Sequence, residues 1–281
     1  MKLGLPLTLP RDVIRKGSKS FSLATLFLPA SAKEKVYILY AWLRYCDDRI
    51  DSPNSQLTDL EQLKRQFSQN QADHPFAQLQ RIIVENNLSH DYFNEFFEGL
   101  RMDLENKGYE NLLDLELYCY RVAGVVGLIL CPIIGANHPQ ASKHASALGM
   151  GMQLTNICRD IVEDASNHRI YLPRTILNQN LSTYDIVRAP ELCQSAVMQL
   201  LARAEILYKN GNQGLKYLPF RVAIAVGSAS FIYRAIGQKI LKNMPETLKK
   251  RVVVGKLEKI KCVLQGFYLA VISRFQRLEP R

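Results

Sequence analysis

Two acidic stretches interrupt otherwise apolar helical patterns, and each falls where its helix has to stop. The richer one is Gln153-Leu154-Thr155-Asn156-Ile157-Cys158-Arg159-Asp160-Ile161-Val162-Glu163-Asp164. Read as a helix, it puts Asn156, Asp160 and Asp164 at i, i+4 and i+8, one polar stripe along one face. Leu154, Ile157 and Ile161 form an apolar stripe beside it. Asn167-His168-Arg169 then leads into Tyr171-Leu172-Pro173, so the helix ends soon after Asp164. Asp160, Glu163 and Asp164 therefore crowd the C-terminal end, where the macrodipole is already negative. Local rules broken in this way concentrate at functional sites.

The other stretch, Tyr45-Cys46-Asp47-Asp48-Arg49-Ile50-Asp51, breaks the same rule before Ser52-Pro53 stops its helix. Asp47 and Asp51 share a face at i, i+4, and three carboxylates within five residues repel one another as well as the dipole. A divalent cation turns both penalties into attractions. Mg²⁺ suits an all-oxygen ligand set and usually takes one or two carboxylates plus substrate phosphates. Two such helix ends facing each other would hold a diphosphate between them through bridging ions. Either stretch alone reads as a solvated acidic helix end. The pair, with matched spacing and adjacent arginines, reads as a metal site.

The chain around these stretches has the opposite charge. Its 281 residues carry a formal net charge of +10 and are 47% apolar, which allows one large domain or two small ones. A basic surface around acidic pockets suits an anionic substrate held through metal, and it also suits an anionic membrane surface. Only the net charge speaks for nucleic acid, because zinc-finger spacing, an RNP-like motif and a Lys/Arg block are all missing. The cysteines, Cys46, Cys119, Cys131, Cys158, Cys193 and Cys262, form no C-x-x-C pair and mostly lie in apolar helical context. They read as reduced core residues of a cytoplasmic protein. The histidines are scattered with no H-E-x-x-H, which argues against zinc. The start of the chain lacks the apolar run of a signal peptide. The longest apolar stretch, Val122 to Ala136, is too short for a bilayer span and contains Pro132.

Taken in order, residues 1–10 form an irregular lead. Arg11 to Lys19 reads as helical, and Gly17-Ser18-Lys19-Ser20-Phe21 ends it, either as an ordinary turn or with backbone amides and Lys19 offered to a phosphate. Ser31-Ala32-Lys33-Glu34 after Pro29 is a capping-box signature for the helix that reaches the first acidic stretch. Thr58-Asp59-Leu60-Glu61, Pro75 and Ser89 open further helices. The last of these carries Phe93, Phe96, Phe97 and Leu100 as a core stripe. Tyr118-Cys119-Tyr120-Arg121-Val122-Ala123-Gly124-Val125-Val126-Gly127 puts two glycines inside a helical apolar run, at about 1 kcal/mol each relative to Ala. They serve tight helix packing or an apolar tunnel beside the acidic face. A helix from Ala141 to Asp164 carries the second acidic stretch, and Pro190 to Asn210 and Leu215 to Leu241 follow. The sequence has no period-2 strand series and no glycine-rich phosphate loop. The chain reads as all-α, one domain over residues 1–281, with roughly ten helices.

The last 41 residues hold ten Lys or Arg against three Glu, with Lys249-Lys250-Arg251 the densest cluster. Phe267, Tyr268, Leu269, Val271, Ile272 and Phe275 lie just beyond. The tail 252–281 reads as a basic, apolar helix that either lies on a membrane surface or docks on the core with a solvated basic face.

Asp47-Asp48-Arg49-Ile50-Asp51 and Gln153-x-x-Asn156-x-x-Arg159-Asp160-x-x-Glu163-Asp164 resemble the two aspartate-rich motifs of the squalene/phytoene synthase family. Gly17-Ser18-Lys19-Ser20-Phe21, Leu39-Tyr40-Ala41-Trp42, the Tyr118 to Gly124 segment and Arg169-x-Tyr171-Leu172-Pro173 resemble it too, in the right order from about residue 15 to 255. Arg44-Tyr45-Cys46-Asp47-Asp48, Val125-Val126-Gly127-Leu128 and Leu154-Thr155-Asn156-Ile157 look most like the bacterial phytoene synthase branch. Gly17 stands where dehydrosqualene synthases often carry His, which points away from the shorter-substrate branch.

The resemblance implies an all-α prenyltransferase fold with roughly ten helices around a central cavity. It implies head-to-head condensation of two prenyl diphosphates through a cyclopropylcarbinyl diphosphate. The product would be phytoene from two C20 substrates, or a squalene-type product from two C15 substrates. It implies two or three Mg²⁺ ions, with Mn²⁺ as a substitute, held by Asp47, Asp48, Asp51, Asn156, Asp160 and Asp164. NADPH is not expected. Arg44, Lys19, Arg159, Arg169 and Arg251 would hold diphosphate, with Ser18, Ser20, Tyr40, Tyr118, Gln153, Tyr171 and Tyr233 nearby. Phe21, Val122, Val126, Gly127, Leu148 and Met152 would line a dry tunnel. A non-catalytic lipid-binding or assembly protein on the same fold is the alternative from another class. No feature of the sequence sets an oligomeric state. The expected location is cytoplasmic, with peripheral contact on the inner face of the cell membrane.

Overall fold

The computed structural model describes residues 10–69, 77–177 and 180–278. Among them there is no β-strand, and the α-helices fall into fifteen segments rather than ten, because several long patterns are broken by bends. Helices α1 (Pro10–Gly17) and α2 (Lys19–Ala24) lead through a 3-10 turn into α3 (Ala30–Ile50). Then come α4 (Leu57–Ser68), α5 (Ala77–Glu85) and α6 (His90–Glu105). Helix α7 (Leu112–Cys119) passes through a π-helical turn, Tyr120–Gly124, into α8 (Val125–Ile133). Helices α9 (Pro139–Arg159) and α10 (Ile161–Ser166) carry the second acidic stretch. The short α11 (Arg174–Leu177) and α12 (Thr183–Arg188) precede three long helices, α13 (Gln194–Gln213), α14 (Phe220–Lys242) and α15 (Lys256–Leu278).

Local chemistry explains most boundaries and corrects several expectations. Ser89 caps α6, its hydroxyl accepting from the Asp91 amide at 3.2 Å. The capping box expected at Ser31 to Glu34 does not form: α3 starts at Ala30 after Pro29, with no side-chain cap. The cap of α4 lies earlier than Thr58, where the Gln56 amide donates to Asp59 Oδ2 at 2.9 Å. Gly17 ends α1, and Ser18 caps a new helix, accepting from the Phe21 amide at 3.2 Å. Residue 10 already belongs to α1, while 1–9 and Pro75 lie outside the described residues.

The expected single helix Ala141 to Asp164 is two helices. Asp160, at φ −106° and ψ 16°, bends the chain between α9 and α10. The stripe nevertheless survives, because the Asp160 amide donates to the Asn156 carbonyl at 2.9 Å and the Asp164 amide to the Asp160 carbonyl at 2.8 Å. The bend also moves Glu163 and Asp164 into the first turn of a new helix, where the dipole favours them.

The core has two halves. Around Trp42, the rings of Phe67, Phe93, Phe96 and Phe97 pack with centroids 5.4, 5.6, 5.6 and 5.8 Å away. The other half is built on α9, α13 and α14, with Leu154, Val197, Leu200 and Ile232 fully buried. Gly127 serves both functions considered for it: it lines the cavity between the halves, and a Cβ there would lie 2.5 Å from the Ala145 carbonyl oxygen of α9. By length and mean hydropathy, two helical stretches would reach across a bilayer, Leu112–Ile133 and Phe220–Lys242, the first joining the apolar run from Val122 to a segment that carries Asp114, Glu116 and Arg121. The second packs inside the bundle against α9, α13 and α15, while the first packs on α6 and α9 and leaves Leu113 and Leu117 exposed.

Candidate active site

The cavity between the two core halves has about 1640 Å³ of empty space, its open mouth included. Helix α3 lines it from Val36 to Asp47 and α9 from Ala141 to Asn156. At about 1.5 Å per residue these walls run roughly 16 and 22 Å. Both acidic stretches lie at the C-terminal ends of these walls, so they meet at one mouth. The far end is closed by buried Leu28, Leu215 and Ala225.

Twelve of the residues singled out from the sequence line this cavity. Phe21, Val122, Val126, Gly127, Leu148 and Met152 form apolar wall, and Tyr40, Arg44, Asp47, Gln153, Asn156 and Tyr233 lie toward the mouth. Tyr233 packs its ring on Phe21 with centroids 5.7 Å apart. The π-helical turn supplies Val122 and Ala123 to the wall, and such turns recur at functional sites.

The other predicted residues do not line the cavity, and every predicted arginine at the mouth, Arg44 included, is ion-paired. Arg44 meets Asp48 at 2.6 Å. Arg159 holds Asp160 through two bonds of 2.8 and 2.5 Å. Arg251 reaches Asp160 at 3.4 Å and Glu163 at 2.8 Å. Arg169 bridges to Asp51 at 2.6 Å and so ties the two acidic stretches together. Lys19 is exposed at the start of α2, and Ser20 falls in that helix with its side chain outside what is described. Tyr118 and Tyr171 are directed away from the cavity, onto Asp103.

Asp103 is the residue that sequence reasoning missed. It accepts from the Tyr171 hydroxyl at 2.7 Å and from the Tyr118 hydroxyl at 3.2 Å, under a stack of Tyr109, Tyr118 and Tyr171. It sits between the two acidic stretches, close enough for its charge to be felt by Asp47 and Asp164. Its signal was present: it is an acid in the last turn of α6, the same broken dipole rule. Lys259 was also passed over as part of the tail. It is half-buried beside Lys19, and its pKa is lowered by burial first and by Lys19 second.

Burial and mutual crowding disfavour the ionised form of the carboxylates in and beside the mouth. Burial, then Asp51 and Asp103, push Asp47 up to about 7. Burial, then Asp160 and Glu163, push Asp164 up to about 8. Burial raises Asp103 to about 6 against the hydrogen bond from Tyr171. Asn156 Oδ1 is buried with no hydrogen-bond partner. Among the described residues, no three His, Cys, Asp or Glu side chains converge as a ready-made cage. An orphaned amide oxygen beside crowded carboxylates fits a hard cation that completes its shell with substrate oxygens.

Solved structures share this architecture. A dehydrosqualene synthase in complex with ligand superposes with a TM-score of 0.74 at 31% identity, covering 92% of this chain and 93% of its own. A squalene synthase from Alicyclobacillus acidocaldarius gives 0.73 at 26% identity, covering 86% and 94%. The fold is thus the all-α isoprenoid synthase fold, with the acidic mouth and apolar cavity in one bundle. Residues 14–258 match squalene/phytoene synthase, and the chain belongs to that family. The 15-cis-phytoene synthase of Enterobacter agglomerans is 34% identical over 283 residues, 94% of this chain and 96% of the relative. That of Pantoea ananas is 34% identical over 289 residues, 96% and 94%.

Proposed function

We propose that the chain is a single-domain prenyltransferase that joins two geranylgeranyl diphosphates head to head, through a cyclopropylcarbinyl diphosphate, into phytoene. Two diphosphates are released, and the reaction belongs to carotenoid biosynthesis. The observation that carries this reading is one apolar cavity with both acidic stretches and four arginines at its mouth. An extended twenty-carbon chain is roughly 20 Å long, from C–C bond lengths of ~1.5 Å, which suits walls of roughly 16 and 22 Å. The phytoene synthase relatives match nearly the whole chain.

Asp47, Asp48, Asp51, Asn156, Asp160 and Asp164 would hold Mg²⁺. The ions would supply Lewis-acid stabilisation of departing diphosphate. Each mouth arginine would exchange a carboxylate partner for a phosphate oxygen as substrate binds, and Lys19 and Lys259 add positive charge on the α2 side. Tyr40, its pKa pushed up to about 12 by burial, keeps its proton and serves as a donor at the mouth. Below the mouth the wall turns apolar, which keeps water from a carbocation. The faces of Phe21 and Tyr233 offer the cation the negative side of a ring quadrupole. Asp103 and its two tyrosines lie outside the cavity and set the position of the loop that carries Arg169.

The test is product analysis of purified protein with Mg²⁺ and either prenyl diphosphate, with and without NADPH. Phytoene from the twenty-carbon substrate without NADPH is the expected result. A thirty-carbon product would favour the fifteen-carbon reading, which the structural likeness to a dehydrosqualene synthase keeps in view. No product from folded, metal-loaded protein would overturn catalysis itself and leave a lipid-binding role.

A further inference from the structure

Helix α15 has two apolar faces of different kinds. Its inner face is made of small residues, Cys262, Gly266, Ala270 and Ser273, all buried against the bundle. At Gly266 a Cβ would strike the Ser228 backbone nitrogen, so α14 and α15 touch almost backbone to backbone. The outer face is made of large residues. Leu257, Ile260, Leu264, Tyr268 and Phe275 are 82%, 58%, 63%, 68% and 67% exposed, and Phe267 is 48% exposed. Their three- and four-residue spacing keeps them on one stripe. Contiguous apolar surface of this kind marks a site that meets something other than water.

The charge around the stripe identifies the partner. Lys256, Lys261 and Arg274 of the same helix are exposed, as are Lys249 and Lys250 just before it, Lys249 pairing with Glu246 at 3.4 Å. The one carboxylate on the described part of α15, Glu258, is taken up by Lys239 at 2.9 Å. A second copy of the chain would set these cations against their equivalents. An anionic lipid surface satisfies both the stripe and its basic rim.

The same helix also borders the closed end of the cavity. Helices α14 and α15 run antiparallel: Lys239 meets Glu258 at one end, and Arg274 lies 5.7 Å over the Phe220 ring at the other. There a surface groove is lined by Leu215, Leu218, Phe220, Ala223, Ala270 and Arg274. Leu215 and Leu218 also line the main cavity, so the two spaces are separated by the thickness of these side chains. The Phe220 ring meets Phe267 of the outer stripe with centroids 6.0 Å apart.

We infer that the outer face of α15 seats on an anionic bilayer and that the hydrocarbon product passes into it through the closed end of the cavity, between Leu215 and Leu218. The outlet rests on the hydrocarbon-forming reaction proposed above; the seat does not. A product without polar groups gains nothing from a mouth crowded with charges, whereas the groove is lined mainly by apolar side chains, with Lys216 and Arg274 the two cations among them.

Flotation with phosphatidylcholine vesicles, with and without phosphatidylglycerol, tests the seat without any turnover. The protein is expected to float only with the anionic vesicles. Leu264→Asp and Lys256→Glu/Lys261→Glu should each lower the partition coefficient about tenfold or more, with an unchanged far-UV spectrum because these side chains are exposed. No flotation of the wild type, unchanged flotation of the variants, or a dimer in sedimentation that the same variants dissolve would overturn the seat. For the outlet, a single turnover is run with anionic vesicles, and product is counted in the lipid and in the protein fraction. Ala223→Phe fills the groove without lining the cavity, so product should form at the wild-type rate and stay on the protein. Leu218→Ala should speed transfer to lipid. Wild-type transfer rates in both variants would overturn the outlet, and absence of product in the wild type would count against the reaction rather than the seat.

Discussion

Asp103 shows how the site works at the scale of single residues. It does not line the main cavity, yet both acidic stretches feel its charge, and two tyrosine hydroxyls hold it in place. Its folded pKa, raised to about 6 by burial, lies above that of an unfolded Asp. Such a group favours the fold fully below the unfolded pKa and loses that contribution as pH rises through the folded one. Relative to Asp103→Asn, the wild type should therefore lose up to roughly 3 kcal/mol of stability between about pH 4 and pH 8, measured by denaturant unfolding at each pH. Parallel pH profiles would refute the assignment. Turnover of Asp103→Asn should fall as well, because Tyr171 and with it Arg169 lose their anchor. At the mouth, Asp48→Asn and Asp160→Asn should each lower kcat about 100-fold or more while the far-UV spectrum stays unchanged. Near-normal turnover in either would remove that residue from the proposed metal site.

At the scale of elements, the bend at Asp160 and the π-helical turn at Tyr120–Gly124 matter most. The bend relieves two of the three acids from an unfavourable dipole end and keeps Asn156, Asp160 and Asp164 aligned through backbone bonds. The turn brings Val122 and Ala123 into the wall while α8 continues past Gly127. Contact between α8 and α9 depends on the missing side chain at Gly127, where a Cβ would sit 2.5 Å from a backbone oxygen that cannot rotate away. Gly127→Val should therefore destabilise the protein by roughly 1–3 kcal/mol, read as a lower midpoint in thermal or denaturant unfolding. An unchanged midpoint would mean that the two helices can separate freely.

For the whole molecule, the decisive quantity is the length of the cavity, set by where α3 and α9 begin to line it and where Leu28, Leu215 and Ala225 close it. Ala141→Phe fills the far end, so the ratio of kcat/KM for the twenty-carbon over the fifteen-carbon substrate should fall about tenfold or more. An unchanged ratio would place the chain terminus elsewhere. The sequence alone determined the all-helical class and the two acidic stretches at helix ends, because helical periodicity and charges at helix ends are local properties; the six apolar wall residues came from the family resemblance of its motifs. It also contained the signal for Asp103, but one carboxylate among several becomes informative only when folding brings α6 between the two stretches. Tertiary structure alone decided that α9 breaks at Asp160, that Tyr118 and Tyr171 turn to Asp103, and that the tail docks by small residues while its large ones face outward. Each of these depends on how closely two helices approach. That distance is fixed by packing between segments far apart in the chain, which no local pattern encodes.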